Sequence, residues 1–206
     1  QPFKVGPDYI DPSYHQMATG NACRNLDMWM LTLPMVAQSF AYHSRTADVA
    51  LIEGVMGLFD GVAATSDHGS SAEMAQMLGA PIVLILPVRG MARSAAALVH
   101  GFHTFSPHTR LSGVILNRVG SPKHAELCRE AIEESTGVPV LGYLPRHEAF
   151  HLPERHLGLI PTREQGEWQA QLARVGALVA ETVDLDRLLE IAATARPLEV
   201  SAVETA

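Results

Sequence analysis

Carboxylates and one lysine follow closely on short apolar segments in the first third of the chain. Lys4, Asp8 and Asp11 lie within the stretch KVGPDYIDPSYH, and Glu53 and Asp60 lie in the stretch EGVMGLFDG. Proteins hold Mg²⁺ with one or two carboxylates, and phosphate oxygens complete the coordination. Four carboxylates combined with several glycines therefore indicate a site for Mg²⁺ and a nucleotide.

Each of these residues also has a structural interpretation. Asp8 or Asp60 alone is more often a turn former, and Asn117 could simply cap the end of a strand. Glu53 is harder to explain in this way, because a carboxylate that ends an apolar strand is costly unless it is paired or bound to a metal. Taken together, the residues favour the functional interpretation.

Apolar runs alternate with helical stretches and must position these residues. Pro2–Val5 is typical of the end of a strand, and further strands are predicted at residues 48–52, 81–86, 111–116 and 138–141. Helices are predicted at 33–46, 71–78, 92–102, 123–136, 164–183 and 185–195. The strands are near-continuous apolar runs, which is typical of parallel strands covered on both faces. Ser70 and Glu73 form a capping box, and Gly137 ends a helix.

This alternation predicts an α/β fold in three layers, with a parallel sheet and helices on both faces. Ligands of such sheets bind at the carboxyl ends of the strands. Asp8 and Asp11 follow the first strand, and Glu53 and Asp60 follow the second. The strand at 111–116 leads into Asn117 and Arg118 in the same way. We therefore expect these side chains at one edge of the sheet.

Composition narrows the class of protein. The chain has 206 residues, 47% of them hydrophobic, which is enough for a core of its own. No apolar run approaches the roughly 20 residues of a membrane span, so we expect a cytoplasmic protein without a membrane partner. The net charge of −7 comes without a basic stripe, which argues against nucleic acid. Cys23 and Cys128 are expected to be free, buried or half-buried thiols.

The stretch HEAFH at 147–151 matches the H-E-x-x-H pattern of zinc proteases. That pattern needs a helix that presents both histidines. Pro145 precedes the stretch and Pro153 follows it, so a stable helix is not expected there. We therefore predict no zinc site.

Five blocks carry a resemblance to a known family: GPDYIDPSYH, EGVMGLFDG, GMARSAAALVHGF, LNRVGS and LPERHLGL. In this order they closely resemble the N-terminal synthetase domain of the cobyrinic acid a,c-diamide synthase family, from Gln1 to about residue 164. The resemblance implies a P-loop NTPase fold like that of dethiobiotin synthetase. It also implies a glutamine-dependent amidoligase of vitamin B12 biosynthesis, with a C-terminal glutaminase domain that supplies ammonia.

The resemblance also predicts how the chain is organised. Family members carry a phosphate-binding loop ahead of the first strand seen here, and this chain contains no G-x-x-x-x-G-K-[ST]. We therefore expect an N-terminally truncated synthetase domain over residues 1–164. Residues 165–206 are expected to be a helical segment that leads toward the glutaminase domain. These residues alone are expected to bind ATP weakly and to be inactive.

By position in the matching blocks, the resemblance implies roles for the acidic residues. Asp8 and Glu53 resemble the Mg²⁺ ligands that face the ATP phosphates. Asp11 and Asp60 resemble the acidic residues needed to activate or place the substrate carboxylates. Lys4 would lie beside the transferring phosphoryl group, where a cation offsets developing charge.

Further along the chain, Asn117 and Arg118 resemble the residues at the nucleotide-base end of the family's site. One position departs from the family pattern, because Pro87 ends the strand at 81–86 where members often have an aspartate. A carboxylate role at that position is therefore in doubt.

The implied reaction uses ATP to activate a corrinoid carboxylate as an acyl phosphate, which ammonia then converts to an amide. Alternatives remain open. The substrate could be hydrogenobyrinate or nickel sirohydrochlorin instead of cobyrinate, because one family fold serves all three. A partitioning-type P-loop ATPase shares the sheet order, although GPDYIDP and LPERHLGL speak against it. A binding remnant that holds the corrinoid without turnover is the third possibility.

Overall fold

A computed structural model describes residues 1–150, 154–155, 158–159 and 168–198. The chain forms two compact units. The first comprises residues 1–79, 153–169 and 196–206, and the second comprises residues 80–152 and 170–195. The predicted domain boundary at 164/165 lies outside the described residues and stays a prediction. The interpretation of residues 165–206 as a segment that leads toward a glutaminase domain also stays a prediction.

The first unit is built on a parallel sheet with the strand order β2-β1-β3. Its strands and helices are β1 (Pro2–Val5), α1 (Asp11–Thr19), β2 (Arg24–Leu26), α2 (Leu33–Ser44), β3 (Leu51–Glu53) and α3 (Ser71–Met77). In the central strand, Lys4 is in register with Asn25 on one side and Glu53 on the other. All three carboxyl ends therefore point to the same edge of the sheet.

Apolar contacts hold the first unit together. Phe3 and Leu26 are fully buried in the sheet. The Phe3 ring packs on Phe40 of α2 with ring centroids 4.9 Å apart, and Tyr14 of α1 packs edge-on against Trp168 at 5.3 Å. Burial of such large rings removes much apolar surface from water and so stabilises the unit.

The second unit carries the parallel sheet β4-β5-β6. Its elements are β4 (Ile82–Pro87), α4 (Arg93–Thr104), β5 (Leu111–Val119), α5 (Pro122–Thr136), β6 (Val140–Pro145) and α7 (Leu185–Ala193). Helix α6 (Trp168–Thr182) begins in the first unit and continues into the second. Val99, Val114, Leu116, Cys128 and Ile132 are fully buried in the core of the second unit. A two-stranded antiparallel pair, β7 (Glu154–Arg155) with β8 (Gly158–Leu159), belongs to the first unit.

The junction between α6 and α7 closes one edge of the second sheet. Gly142 of β6 bridges to Val183, and the N–H of Asp184 donates to the carbonyl of Leu141 at 2.8 Å. Gly142 has a φ of 147°, and a Cβ there would collide with the backbone carbonyl of Thr182. Only glycine lets the junction approach this closely.

Much of the sequence interpretation is confirmed. The fold is α/β with parallel strands, and every predicted strand and helix that falls on described residues has a counterpart. Ser70 Oγ accepts the N–H of Glu73 at 3.1 Å, and Gly137 ends α5 with a φ of 68°. Cys23 is a half-buried free thiol and Cys128 a buried one.

Helix α1 and strand β2 beside the site were not predicted, and neither were the short strands β7 and β8 or the single turn at Glu148–Phe150. The expectation that the strands are covered on both faces is wrong for Leu51 in β3 and Ile85 in β4, which are 73% and 57% exposed. Both strands end the order of their sheets, so in the described part of the chain each has a strand neighbour on one side only.

Part of the HEAFH stretch lies outside the described residues. Glu148–Phe150 form a single 3₁₀ turn and no α-helix, while His151 is not described. Among the described helices, none has the length and apolarity required to cross a bilayer.

Candidate functional site

Lys4 lies at the centre of the candidate site, in the middle strand of the first sheet. It is only 4% exposed, and its Nζ donates to the Gly54 carbonyl at 2.8 Å. The same nitrogen lies 3.4 Å from Asp11 Oδ2 and 3.7 Å from Glu53 Oε2. A buried ammonium is costly without such partners, so the two carboxylates and the lysine stabilise one another.

The loop after β1 places Asp11 over Lys4. Asp8 Oδ1 accepts the backbone N–H of Ile10 at 2.7 Å and that of Asp11 at 3.3 Å. The Asn25 side chain on β2 donates to the carbonyls of Gly6 and Asp8 at 2.8 and 2.5 Å. The turn is therefore tied to the neighbouring strand, and α1 begins at Asp11.

His15 is a site residue that the sequence interpretation missed. Its Nε2 lies 2.5 Å from Glu53 Oε2. Because His15 follows Asp11 by four residues, both lie on the same face of α1. The i, i+4 spacing of an acid and a histidine was the available signal, but it carries meaning only once the helix is recognised.

Burial and neighbouring charges act differently on the two carboxyl groups. Burial, followed by the charges of Glu53 and Asp8, raises the pKa of Asp11 above its usual value, and Lys4 only partly opposes this. Burial also raises the pKa of Glu53, but the hydrogen bond from His15 and the charge of Lys4 outweigh burial and hold the pKa of Glu53 below its usual value. Glu53 is thus the more firmly ionised of the two.

The donor set fits Mg²⁺ when a nucleotide supplies further ligands. Among the described residues, no group of three or more His, Cys, Asp or Glu side chains could hold a metal ion by itself. Mg²⁺ commonly takes only one or two carboxylates and completes its shell with phosphate oxygens and water. The Lys4 contacts are longer than the roughly 2.7–2.9 Å of tight charge-assisted hydrogen bonds, so the carboxylates are not locked to the lysine. Asp8 is half-buried, and the Glu53 side chain is 46% exposed.

Asp60 lies in the same unit, in the loop after β3. Its Oδ2 accepts the backbone N–H of Gly57 at 2.9 Å, which closes the turn between them. The structure thus gives Asp60 the role of a turn former. Its part in catalysis stays a prediction, as do the roles assigned to Lys4, Asp8, Asp11 and Glu53.

Asn117 and Arg118 lie in the second unit, near the end of β5. Asn117 Oδ1 accepts the backbone N–H of Arg118 at 2.7 Å, and the Asn117 carbonyl accepts the N–H of Val88 at 2.9 Å. Arg118 has a left-handed backbone with a φ of 59°. Pro87 is paired with Asn117 as the last residue of β4. A role of Asn117 and Arg118 in nucleotide binding stays a prediction.

A surface cavity of about 490 Å³ lies beside β6 in the second unit. Arg129, Asp184 and Arg187 are among its lining residues. Arg129 donates to the Val140 carbonyl, Asp184 caps α7 by accepting the N–H of Arg187, and Arg187 is paired with Glu190. These three charged side chains of the cavity are therefore engaged in structural contacts.

Ligands of open parallel α/β sheets bind at the carboxyl ends of the strands. In this chain Lys4, Asp11 and Glu53 come together at that edge of the first sheet. Residues 1–160 match the CobQ/CobB/MinD/ParA nucleotide binding domain, and the chain belongs to that family. The matched range contains β1 to β6 and the whole candidate site.

The names of individual curated relatives are narrower than the name of this family. The chain is 46% identical over 196 residues to a cobyrinate a,c-diamide synthase of Dehalococcoides mccartyi strain CBDB1, covering 95% of this chain and 42% of the relative. A cobyrinate a,c-diamide synthase of Listeria monocytogenes serotype 4b is 49% identical over 201 residues, covering 97% and 44%. A hydrogenobyrinate a,c-diamide synthase of Streptomyces coelicolor is 46% identical over 202 residues, covering 98% and 41%. The resemblance predicted from the sequence is confirmed, and the chain spans less than half the length of these relatives.

Proposed function

We propose that this chain is the synthetase part of an ATP-dependent amidoligase that converts the a- and c-carboxylates of cobyrinate to amides in cobalamin biosynthesis. The observation that carries the proposal is the convergence of Asp11 and Glu53 on the buried Lys4 at the carboxyl ends of β1 and β3. It is supported by the names of relatives that are 46–49% identical to nearly the whole chain.

In the proposed reaction, a substrate carboxylate oxygen attacks the γ-phosphorus of ATP, and ADP leaves. Ammonia then attacks the acyl carbon of the acyl phosphate, loses a proton, and inorganic phosphate departs with the former carboxylate oxygen. Mg²⁺ held by Asp8 and Glu53 would neutralise charge on the phosphate oxygens. Ammonia would come from glutamine through a glutaminase domain outside this chain.

The residues of this chain act mainly by positioning. Lys4 holds Asp11 and Glu53 beside each other, and His15 fixes one oxygen of Glu53. With that oxygen engaged, the other oxygen of Glu53 remains for the metal. Asp11 lies beside Lys4, and its pKa is raised. In its protonated form Asp11 would donate a hydrogen bond to a substrate carboxylate and so position it.

Four alternatives remain open, and two of them differ only in the substrate. The Streptomyces relative acts on hydrogenobyrinate, according to its name, so the metal-free corrinoid is the strongest competing substrate. Nickel sirohydrochlorin is another. A partitioning-type ATPase and a corrinoid-binding remnant without turnover are the non-ligase alternatives. The cytoplasmic location and the weak ATP binding expected for these residues alone stay predictions.

Isotope transfer tests the proposal. The gene product that contains this chain is incubated with ATP, Mg²⁺, ammonium and cobyrinate labelled with ¹⁸O in its carboxylates. We expect amide formation with one ¹⁸O per amide in inorganic phosphate, detected by mass spectrometry and ³¹P NMR. Unlabelled phosphate would exclude the acyl phosphate. ATP hydrolysis that depends on DNA or a partner protein, without amide, would favour the partitioning ATPase, and corrinoid binding without turnover would favour the remnant.

A further inference from the structure

Large apolar side chains stand exposed around the acidic cluster of the first unit. Trp29 is 78% exposed and Met56 is 85% exposed. Trp29 follows the carboxyl end of β2 and Met56 follows that of β3, on either side of the central strand β1. Tyr9, which is 79% exposed, follows β1 itself. The three residues therefore follow the same sheet edge as Asp8, Asp11 and Glu53.

The loop that carries Trp29 is fixed by a buried acid. Asp27 is 5% exposed, and its Oδ1 accepts the backbone N–H of Trp29 at 2.8 Å and that of Met30 at 3.4 Å. The carbonyl of Asp27 accepts the N–H of Leu31 at 3.1 Å. These hydrogen bonds fix the turn at both ends. The Trp29 ring is therefore held in solvent after the end of β2 and does not pack into the core.

Met56 is held outward by a different device. Its backbone is left-handed, with a φ of 55°, a conformation that is unfavourable for a residue with a side chain. Ser71 anchors the preceding residue, because its hydroxyl accepts the N–H of Val55 at 2.9 Å and donates to the Val55 carbonyl at 3.1 Å. Gly57 is anchored by Asp60 on the other side. The exposed position of Met56 is therefore built into the loop.

We propose that Trp29 and Met56 hold the apolar face of the substrate macrocycle while its carboxylates reach the acidic cluster. The proposal rests on the proposed function and adds the residues that select a large ring system. The strands that precede the two residues, β2 and β3, flank β1 and lie two sheet spacings apart, about 9.6 Å. The loops that follow them can therefore contact different parts of one macrocycle. A polarisable thioether and an indole ring suit such a face.

Fluorescence and kinetics test this assignment. The chain has two tryptophans, Trp29 and the buried Trp168. Cobyrinate absorbs visible light, so its binding should quench Trp29 fluorescence, and most of the quenching should remain in Trp168→Phe. In the gene product that contains this chain, Trp29→Ala should raise the KM for cobyrinate about tenfold or more, with a much smaller change in the KM for ATP. Trp29→Phe should recover part of the loss.

Tyr42→Ala is the matched control, since Tyr42 is an exposed aromatic residue on α2, outside the strand ends. An unchanged KM for cobyrinate in Trp29→Ala, with amidation intact, would overturn this assignment and leave the proposed function standing. A Trp29→Ala variant that dissociates a dimer, measured by sedimentation, while the KM stays unchanged would show that the surface contacts a second copy. Failure of the unmodified protein to bind or amidate any corrinoid would overturn both proposals.

Discussion

Replacing Lys4 with methionine removes the buried cation on which Asp11 and Glu53 converge, while an unbranched apolar chain of similar length remains. The Gly54 carbonyl loses a charge-assisted hydrogen bond of 2.8 Å, and such bonds contribute about 1.5–3 kcal/mol. Breaking a fully buried ion pair from one side costs about 3–5 kcal/mol. The Asp11 and Glu53 side chains are 28% and 46% exposed, so water recovers part of that cost. We expect the free energy of unfolding to fall by about 2–4 kcal/mol.

Urea unfolding followed by tryptophan fluorescence measures this change in the relevant part of the molecule, because Trp29 and Trp168 both belong to the first unit. Arg45→Met is the control in the same unit, since Arg45 is exposed and its guanidinium stacks over the Tyr42 ring, a contact whose loss should cost less than about 1 kcal/mol. Far-UV circular dichroism of both variants checks that each remains folded before urea is added.

A double-mutant cycle separates the ion pair from the hydrogen bond. If Lys4 stabilises Glu53 directly, the loss in Lys4→Met combined with Glu53→Gln should be smaller than the sum of the single losses by about 0.5–3 kcal/mol. A loss of unfolding free energy in Lys4→Met no larger than that in Arg45→Met would refute the reasoning, and Lys4 would then be free to act solely at the phosphoryl group.

Further predictions concern the hydrogen bond to Glu53 and the close approach of the backbone at β6. In His15→Ala the pKa of Glu53 should rise, because the hydrogen bond that most strongly lowers it is lost. Titration of the carboxyl groups by NMR measures this pKa. His68→Ala removes an exposed histidine that is paired with Glu73, and it should leave the pKa of Glu53 unchanged. Gly142→Ala should lower the unfolding free energy by about 2 kcal/mol or more, since a Cβ would collide with a backbone carbonyl. Gly176 lies in α6 with open space around it, so Gly176→Ala should raise the unfolding free energy by about 0.5–1 kcal/mol. Urea unfolding measures both variants. Equal effects at the two glycines would contradict a close backbone approach between Gly142 and Thr182.

Strong local patterns made most of the fold predictable. The apolar runs at β4 and β5 are long and rich in β-branched residues, and Ser70 and Gly137 carry the signals that begin and end helices. Strand β2 was missed because Arg24–Leu26 contains a single apolar residue, and its pairing with β1 is decided by tertiary contacts. Helix α1 was missed because its residues are mostly polar and its packing depends on Tyr14.

The candidate site was predictable only in its residue types. That Asp8 and Asp11 follow a strand, and that Glu53 ends another, could be derived from the sequence alone. The sharing of Lys4 by Asp11 and Glu53 depends on the parallel register of β1 and β3, which no local pattern specifies. His15 joins the site only because α1 brings it to Glu53.

The central claim is that Glu53 holds Mg²⁺ where the substrate carboxylate is activated. Measuring amidation by the Glu53→Gln variant tests this claim most directly. The substitution keeps the size and hydrogen-bonding capacity of the side chain but removes the charge that would hold Mg²⁺. In the gene product that contains this chain, cobyrinate amidation should collapse with glutamine and equally with free ammonium, because the defect lies in activating the carboxylate. Glutaminase activity should survive wherever it is not coupled to the synthetase. Glu190→Gln is the control, because Glu190 is exposed, and this variant should amidate cobyrinate at the normal rate. Near-normal amidation by Glu53→Gln would make Glu53 a structural carboxylate at the end of a strand and would contradict the account.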